Sequence, residues 1–86
     1  MANEFALEVV TPEKTFYNGS AEMVIVRTTE GDRGILKNHR PMVAGLKAGT
    51  LRIKKDGKFK DAKISEGFMN VDKEKTVIVI ESAQWI

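Results

Sequence analysis

An all-β domain, a flattened sandwich or barrel of about eight to ten short and mostly antiparallel strands, is the fold class predicted by this 86-residue sequence. Three observations predict it. No window sustains the helical period of about 3.6 residues with capping residues at its ends. Turn-forming residues recur about every 8 to 12 positions, the spacing of an all-β sandwich or barrel. Two runs, Ala21 to Thr29 and Thr76 to Ser82, are β-branched and apolar at both odd and even positions, the pattern of strands covered on two faces.

Taken in order, Phe5, Leu7 and Val9 alternate with Ala6, Glu8 and Val10, the period of two expected of a half-buried strand, which Thr11 and Pro12 stop. A second strand runs through Phe16 and Tyr17 to a turn signal at Asn18, Gly19 and Ser20. The run from Ala21 to Thr29 is a core strand, with Met23 and Ile25 on one parity and Val24 and Val26 on the other. Leu51 and Ile53 alternate with Arg52 and Lys54 and lead to Asp56 and Gly57, which supply the two positive-φ positions of a tight hairpin. On the return strand Phe59 is followed by Ala62 and Ile64, a change of parity that predicts a bulge between them. Phe68 to Val71 forms a further strand that turns at Asp72 to Lys75, and Val77 to Ile80 forms the second core strand.

Composition narrows the function. The chain contains no cysteine and one histidine, so disulfides and thiolate metal sites are excluded and a zinc site would need carboxylates. A 42% apolar and 30% charged composition is that of an ordered domain, and at this length a single one, residues 1–86, is expected. Apolar runs fall far short of the roughly 20 residues needed to span a bilayer as a helix. The start MANEFALEVV has neither a basic region nor a continuous apolar stretch, and reads as the beginning of a domain. The net charge of +2 neither demands nor forbids an anionic partner.

The segment Thr28 to Gly45 concentrates the special residues, including His39 and Pro41. As a catalytic base His39 needs a nucleophile or water and an orienting carboxylate. Glu30 and Asp32 could orient it, but no serine stands in a nucleophile context and no second histidine exists, so a hydrogen-bonded histidine at a turn or interface is the better reading and no catalytic residue is assigned. Glu30 and Asp32 flank Gly31, as a solvated acidic turn or a docking point for a partner's arginine would; no metal is assigned to them, because calcium sites gather six or more oxygens. Gly31 and Gly34 lack the lysine and hydroxyl of a phosphate loop, which leaves turn geometry or close approach as their use and no cofactor to hold. Lys54, Lys55, Lys58, Lys60 and Lys63 surround Phe59 and offer an alternative function, a small β-barrel that binds single-stranded nucleic acid. Asp56, Asp61 and Glu66 interleave with them, and lysines also serve to discourage pairing at strand edges.

The order of these motifs resembles the N-terminal β-sandwich domain of the ε subunit of the F-type ATP synthase. LEVVTPEKTFYNGSAEMVIVRTTEGDRGIL is similar to the family's opening strand, V-T/S-P-E turn, F-x-G turn and E-G-x-x-G-I-L segment. NHRPMVAGLKAGTLRI is similar to its G-H-x-P loop and G-x-L-x-I strand, and SEGFMNVDKEKTVIVIESA to its G-G-F close. The resemblance implies a non-catalytic rotor component of the central stalk, without cofactor. It would join the γ subunit to the polar loops of the membrane c ring and support coupling of ion flow to ATP synthesis. It would be peripheral to the membrane, at the cytoplasmic face of a bacterial cell, with no nucleic-acid partner. Position by position it implies that Glu30, Gly31, Asp32 and Arg33 contact the c ring, and that Thr11, His39, Arg40, Met42 and Ala44 contact γ. The sequence departs from the family where Lys37 and Asn38 precede His39 in place of P-G, where Arg40 replaces a small or apolar residue, and where Glu66 replaces a common glycine. Members continue into a C-terminal helical pair, and these residues reach only to where it would begin, so inhibition and nucleotide binding are not expected of them.

Overall fold

The computed structural model describes residues 3–86, so Met1 and Ala2, the start of the N-terminal reading, lie outside the described residues. Ten strands make up the fold: β1 Phe5–Val10, β2 Thr15–Ala21, β3 Met23–Thr28, β4 Gly31–Leu36, β5 Met42–Leu46, β6 Gly49–Lys55, β7 Lys58–Ile64, β8 Gly67–Val71, β9 Thr76–Ile80 and β10 Ala83–Trp85. β1 and β9 run parallel and the other recorded pairs are antiparallel, as the expected class requires.

Hydrogen-bonded neighbours follow the order β10-β7-β6-β3-β5-β8-β9-β1-β2, with β4 attached to β3. Between β3 and β5 the link is one residue pair, Thr28 with Leu46, and there the sheet folds over into two layers. Val24, Val26, Ile35, Leu51, Ile53, Ala62 and Ile64 enter the core from the first layer, and Leu7, Val9, Leu46, Met69, Val71, Ile78 and Ile80 from the second. Each large side chain so buried stabilises the fold by about 1.5–3 kcal/mol. The free ends of the path, β2 and β10, are brought together by Phe16 and Trp85, stacked with their ring centres 4.4 Å apart.

Several local expectations change. Asn18, Gly19 and Ser20 do not turn; they continue β2 in register with Glu8, Leu7 and Ala6, and β2 tolerates them because it pairs on one side only. The turn lies at Thr11 to Lys14, where Thr11 N donates to the Lys14 carbonyl at 2.9 Å. No bulge interrupts β6 and β7, which pair without a break from Gly49 with Ile64 to Lys55 with Lys58. Phe59 changes parity because it sits on the outer face, 39% exposed. The bulge falls instead in β2, where the register shifts opposite Val9 and Val10 and leaves Phe16 over; this is the ring that meets Trp85. Neither core strand is fully covered on both faces: Val24 and Val26 of β3 and Ile78 and Ile80 of β9 are buried, while Met23, Ile25, Val77 and Val79 are half-buried. Two layers have only one inner face each.

Candidate functional site

The first half of the special segment is the β3–β4 hairpin, a strand rather than the loop its glycines suggest. Thr28 Oγ1 donates to the Gly31 carbonyl at 2.6 Å and accepts from Glu30 N at 3.1 Å, which fixes the turn. Gly31 sits at φ 116°, a conformation open to glycine and strained for other residues. Glu30, Gly31, Asp32 and Arg33 are all exposed at or beside this tip. Asp32 faces Arg27 across the hairpin at 3.4 Å, both side chains more than half exposed, a pair whose contribution is at most about 1 kcal/mol. Arg33 Nη1 reaches Met42 Sδ at 3.8 Å, so the tip touches β5.

The second half begins with the turn Leu36 to His39, closed by His39 N donating to the Leu36 carbonyl at 3.2 Å. Asn38 holds φ 68° there, and asparagine is among the residues that tolerate the left-handed region; this accounts for asparagine in place of the family's glycine. His39 is half-buried. Its Nδ1 lies 2.8 Å from the carbonyl of Arg40, so that nitrogen donates to main chain, and the geometry is that of a turn histidine. The turn borders a cleft of about 630 Å³ at one end of the molecule, shared with Phe5 and the Asp72–Lys75 turn. Met42 and Ala44 follow on β5, half-buried opposite Val71 and Met69, while Val43 between them is 72% exposed.

Thr11 is not next to these residues. It closes the β1–β2 turn, and β1 is separated from β5 by β8 and β9, three strand spacings or about 14 Å. The outer sheet face lies between them. Gly45, Phe68, Val79 and Val10 lie in one row across β5, β8, β9 and β1, and Val43, Asn70, Val77 and Glu8 in the next. Phe68 is 49% exposed, and Val10, Val77 and Val79 are half-buried. This strip lies between the Thr11 turn and β5, and sequence reading missed it. The available signal was Phe68 beside buried Met69: adjacent apolar residues on a strand must point to opposite faces.

Cationic side chains of the lysine hairpin stand over exposed rings. Arg52 places its guanidinium 4.3 Å from the centre of the Phe59 ring, and Lys54 Nζ stands 5.9 Å away. Trp85 is held between Phe16 and Lys60, whose Nζ is 4.6 Å from its centre. Beside the turn of the hairpin the carboxylates of Glu4, Glu22 and Asp56 lie within 4.8 Å of one another. Lys55 Nζ answers their charge 4.0 Å from Glu4 while donating to Ser20 Oγ, and Gly57 N donates to Glu22 at 3.2 Å. Tyr17, whose hydroxyl donates to the Ser20 carbonyl at 2.6 Å, has its pKa raised, chiefly because burial disfavours the phenolate. Among the described residues no helix is long and apolar enough to cross a membrane.

Residues 4–86 match the sequence model of the ATP synthase, Delta/Epsilon chain, beta-sandwich domain. The chain is 56% identical to the ATP synthase epsilon chain of Alkaliphilus oremlandii over 85 residues, which is 99% of this chain and 63% of that protein. It is 45% identical over 85 residues to the epsilon chain of Alkaliphilus metalliredigens, again 63% of the relative's length. The fold superposes with a TM-score of 0.90 and 25% identity on a chain of the Euglena gracilis mitochondrial ATP synthase, from a structure of its OSCP/F1/c-ring, covering 95% of this chain and 53% of that one. On a chain of the Tetrahymena thermophila enzyme's central stalk and c-ring the TM-score is 0.80 at 17% identity, over 92% of this chain and 64% of that one, a likeness of fold.

Proposed function

The chain belongs to the ATP synthase delta/epsilon-chain β-sandwich family, and from that premise we propose that it acts as a non-catalytic central-stalk module joining the γ subunit to the membrane c ring. In this reading it supports the coupling of ion flow to ATP synthesis, peripheral to the cytoplasmic face of a bacterial membrane. The observation that carries it is the apolar strip Val43, Phe68, Val79 and Val10. It lies between the Thr11 turn and β5, the strand that follows His39 and Arg40; Met42 and Ala44 point to the opposite side of β5, packed against the core, and would meet γ only from that side. Apolar centre and polar rim is the anatomy of a protein interface. The β3–β4 tip carries Glu30 to Arg33 at another part of the surface, exposed and tied down by Thr28, which suits contact with a basic loop of the c ring.

Pull-down with the γ subunit of the Alkaliphilus oremlandii enzyme tests the reading. Val43→Glu with Phe68→Glu places carboxylates in the centre of the strip and is expected to weaken γ binding by a hundredfold or more, about 3 kcal/mol. Asp32→Lys leaves γ binding unchanged and lowers coupled proton pumping of the reconstituted enzyme, most at low ionic strength. Undiminished γ binding by the double variant overturns the γ surface, and undiminished pumping by Asp32→Lys overturns the ring contact.

A further inference from the structure

β4 pairs with β3 and, among the described residues, with no second strand, so one of its edges is open. Hydrogen bonds on the far side of β3 fix which main-chain groups that edge presents. Lys47 N donates to the Arg27 carbonyl at 2.9 Å and Thr29 N to the Gly45 carbonyl at 3.1 Å, so Arg27 and Thr29 direct their main-chain groups away from β4. Successive residues of a strand alternate in this direction. Val24, Val26 and Thr28 therefore bond to their partners Ile35, Arg33 and Gly31, and Asp32 and Gly34, between those partners, turn their N–H and C=O outward. The Leu36 carbonyl, next in the same series, is taken by His39 N at 3.2 Å.

Edges are commonly blunted by proline, lysine, bulges or shortness. β2 has its bulge opposite Val9 and Val10 and the Tyr17 hydroxyl on its Ser20 carbonyl, and β10 has three residues. β4 has six residues, neither proline nor lysine, and pairs with β3 without a break. Its two charged side chains already have partners, Asp32 at Arg27 and Arg33 at Met42 Sδ.

The occupant follows from these groups. Donors and acceptors repeated at every second residue are matched by an extended chain and not by a helix, whose own N–H and C=O groups are bonded internally. Gly34 selects a side chain. It is exposed, and a Cβ there would meet nothing within 4 Å. On the same outer face Ile25, its cross-strand partner, is half-buried and Leu36 is 53% exposed, so the open place over Gly34 has apolar side chains on two sides. An aromatic ring opposite an edge glycine packs across it.

We propose that the open edge of β4 receives an extended segment of a partner protein, paired antiparallel through the main chain of Asp32 and Gly34 and carrying an aromatic side chain opposite Gly34.

A fluorescein-labelled peptide of sequence KTVTFTVTK, with valine and phenylalanine on one face and threonine on the other, tests this on the isolated chain. At about 1 mM peptide, amide hydrogen exchange at Asp32 and Gly34 is expected to slow about tenfold, with exchange along β2 unchanged. Gly34→Pro deletes an N–H that faces outward and leaves the β3 pairing whole; it is expected to weaken binding, followed by fluorescence anisotropy, about tenfold. Methylating the phenylalanine and valine nitrogens of the peptide is expected to cause the same loss, while methylating the threonine nitrogens between them, which face away, leaves binding within about twofold. That comparison leaves the chain unaltered, so it decides the matter even if circular dichroism shows Gly34→Pro unfolded. Equal binding of the two methylated peptides overturns the proposal, as does protection of β2 in place of Asp32 and Gly34, or no binding at all at that concentration. These outcomes are read without γ or the c ring, so they stand apart from the fate of the stalk assignment.

Discussion

Gly67 and Tyr17 show how much a single position can decide. At Gly67 a Cβ would stand 2.0 Å from the Val79 carbonyl oxygen and 2.9 Å from Ile80 Cγ2. The obstacle is main chain of a neighbouring strand, which cannot swing aside. Gly67→Ala is therefore expected to cost about 3 kcal/mol in urea unfolding, a large share of the 5–15 kcal/mol typical of a domain; a loss below about 0.5 kcal/mol would show that β8 and β9 separate easily. The sequence placed this glycine in the SEGF motif, but without β9 beside it nothing explained why a side chain is refused. Tyr17 bears on pH. Its pKa is raised in the fold, so the unfolded chain ionises first, near pH 10. The stability it contributes is complete below that value and is lost as pH rises through the folded pKa. Tyr17→Phe should remove this alkaline loss from thermal unfolding measured between about pH 9 and 11, while the parent chain keeps it.

Among the elements, the Asp56–Gly57 hairpin was legible from sequence because its signal is local: two residues with φ 54° and 77° serve a two-residue turn. β4, β5 and the bulge in β2 were not. β4 is exposed at five of its six positions, so it lacks the alternation that marks a strand, and only pairing with β3 defines it. The bulge depends on Trp85, nearly seventy residues away, whose ring stacks on the extra Phe16. Phe16→Ala should lower stability by about 2 kcal/mol. Because Trp85 is the only tryptophan, its emission should also shift to the red; an unchanged spectrum would mean that the stack does not hold β10 against β2.

At the scale of the whole molecule, the layers turn a linear set of motifs into surfaces with different chemistry. The outer face of β5-β8-β9-β1 carries Val43, Phe68, Val77, Val79 and Val10 beside Asn70 and Glu8, the β3–β4 tip is polar and tied down, and the β6–β7 hairpin is rich in lysine. The exposed tip of Glu30 to Arg33 and the run His39 to Ala44 were visible as special in the sequence, since glycine, proline and a lone histidine stand out by type. The outward direction of Val43 and Phe68 was not, because valine and phenylalanine look alike whether they face the core or the solvent. The sequence by itself determined the all-β class, the tight hairpin and the family, because β-branched alternation, turn chemistry and motif order are local properties of the chain. Only the tertiary structure decided which face each apolar residue takes, where the bulge falls and which distant residues share a surface. Those depend on register, and register is set by strands that are far apart in sequence and meet only when the sheet folds over at Thr28 and Leu46.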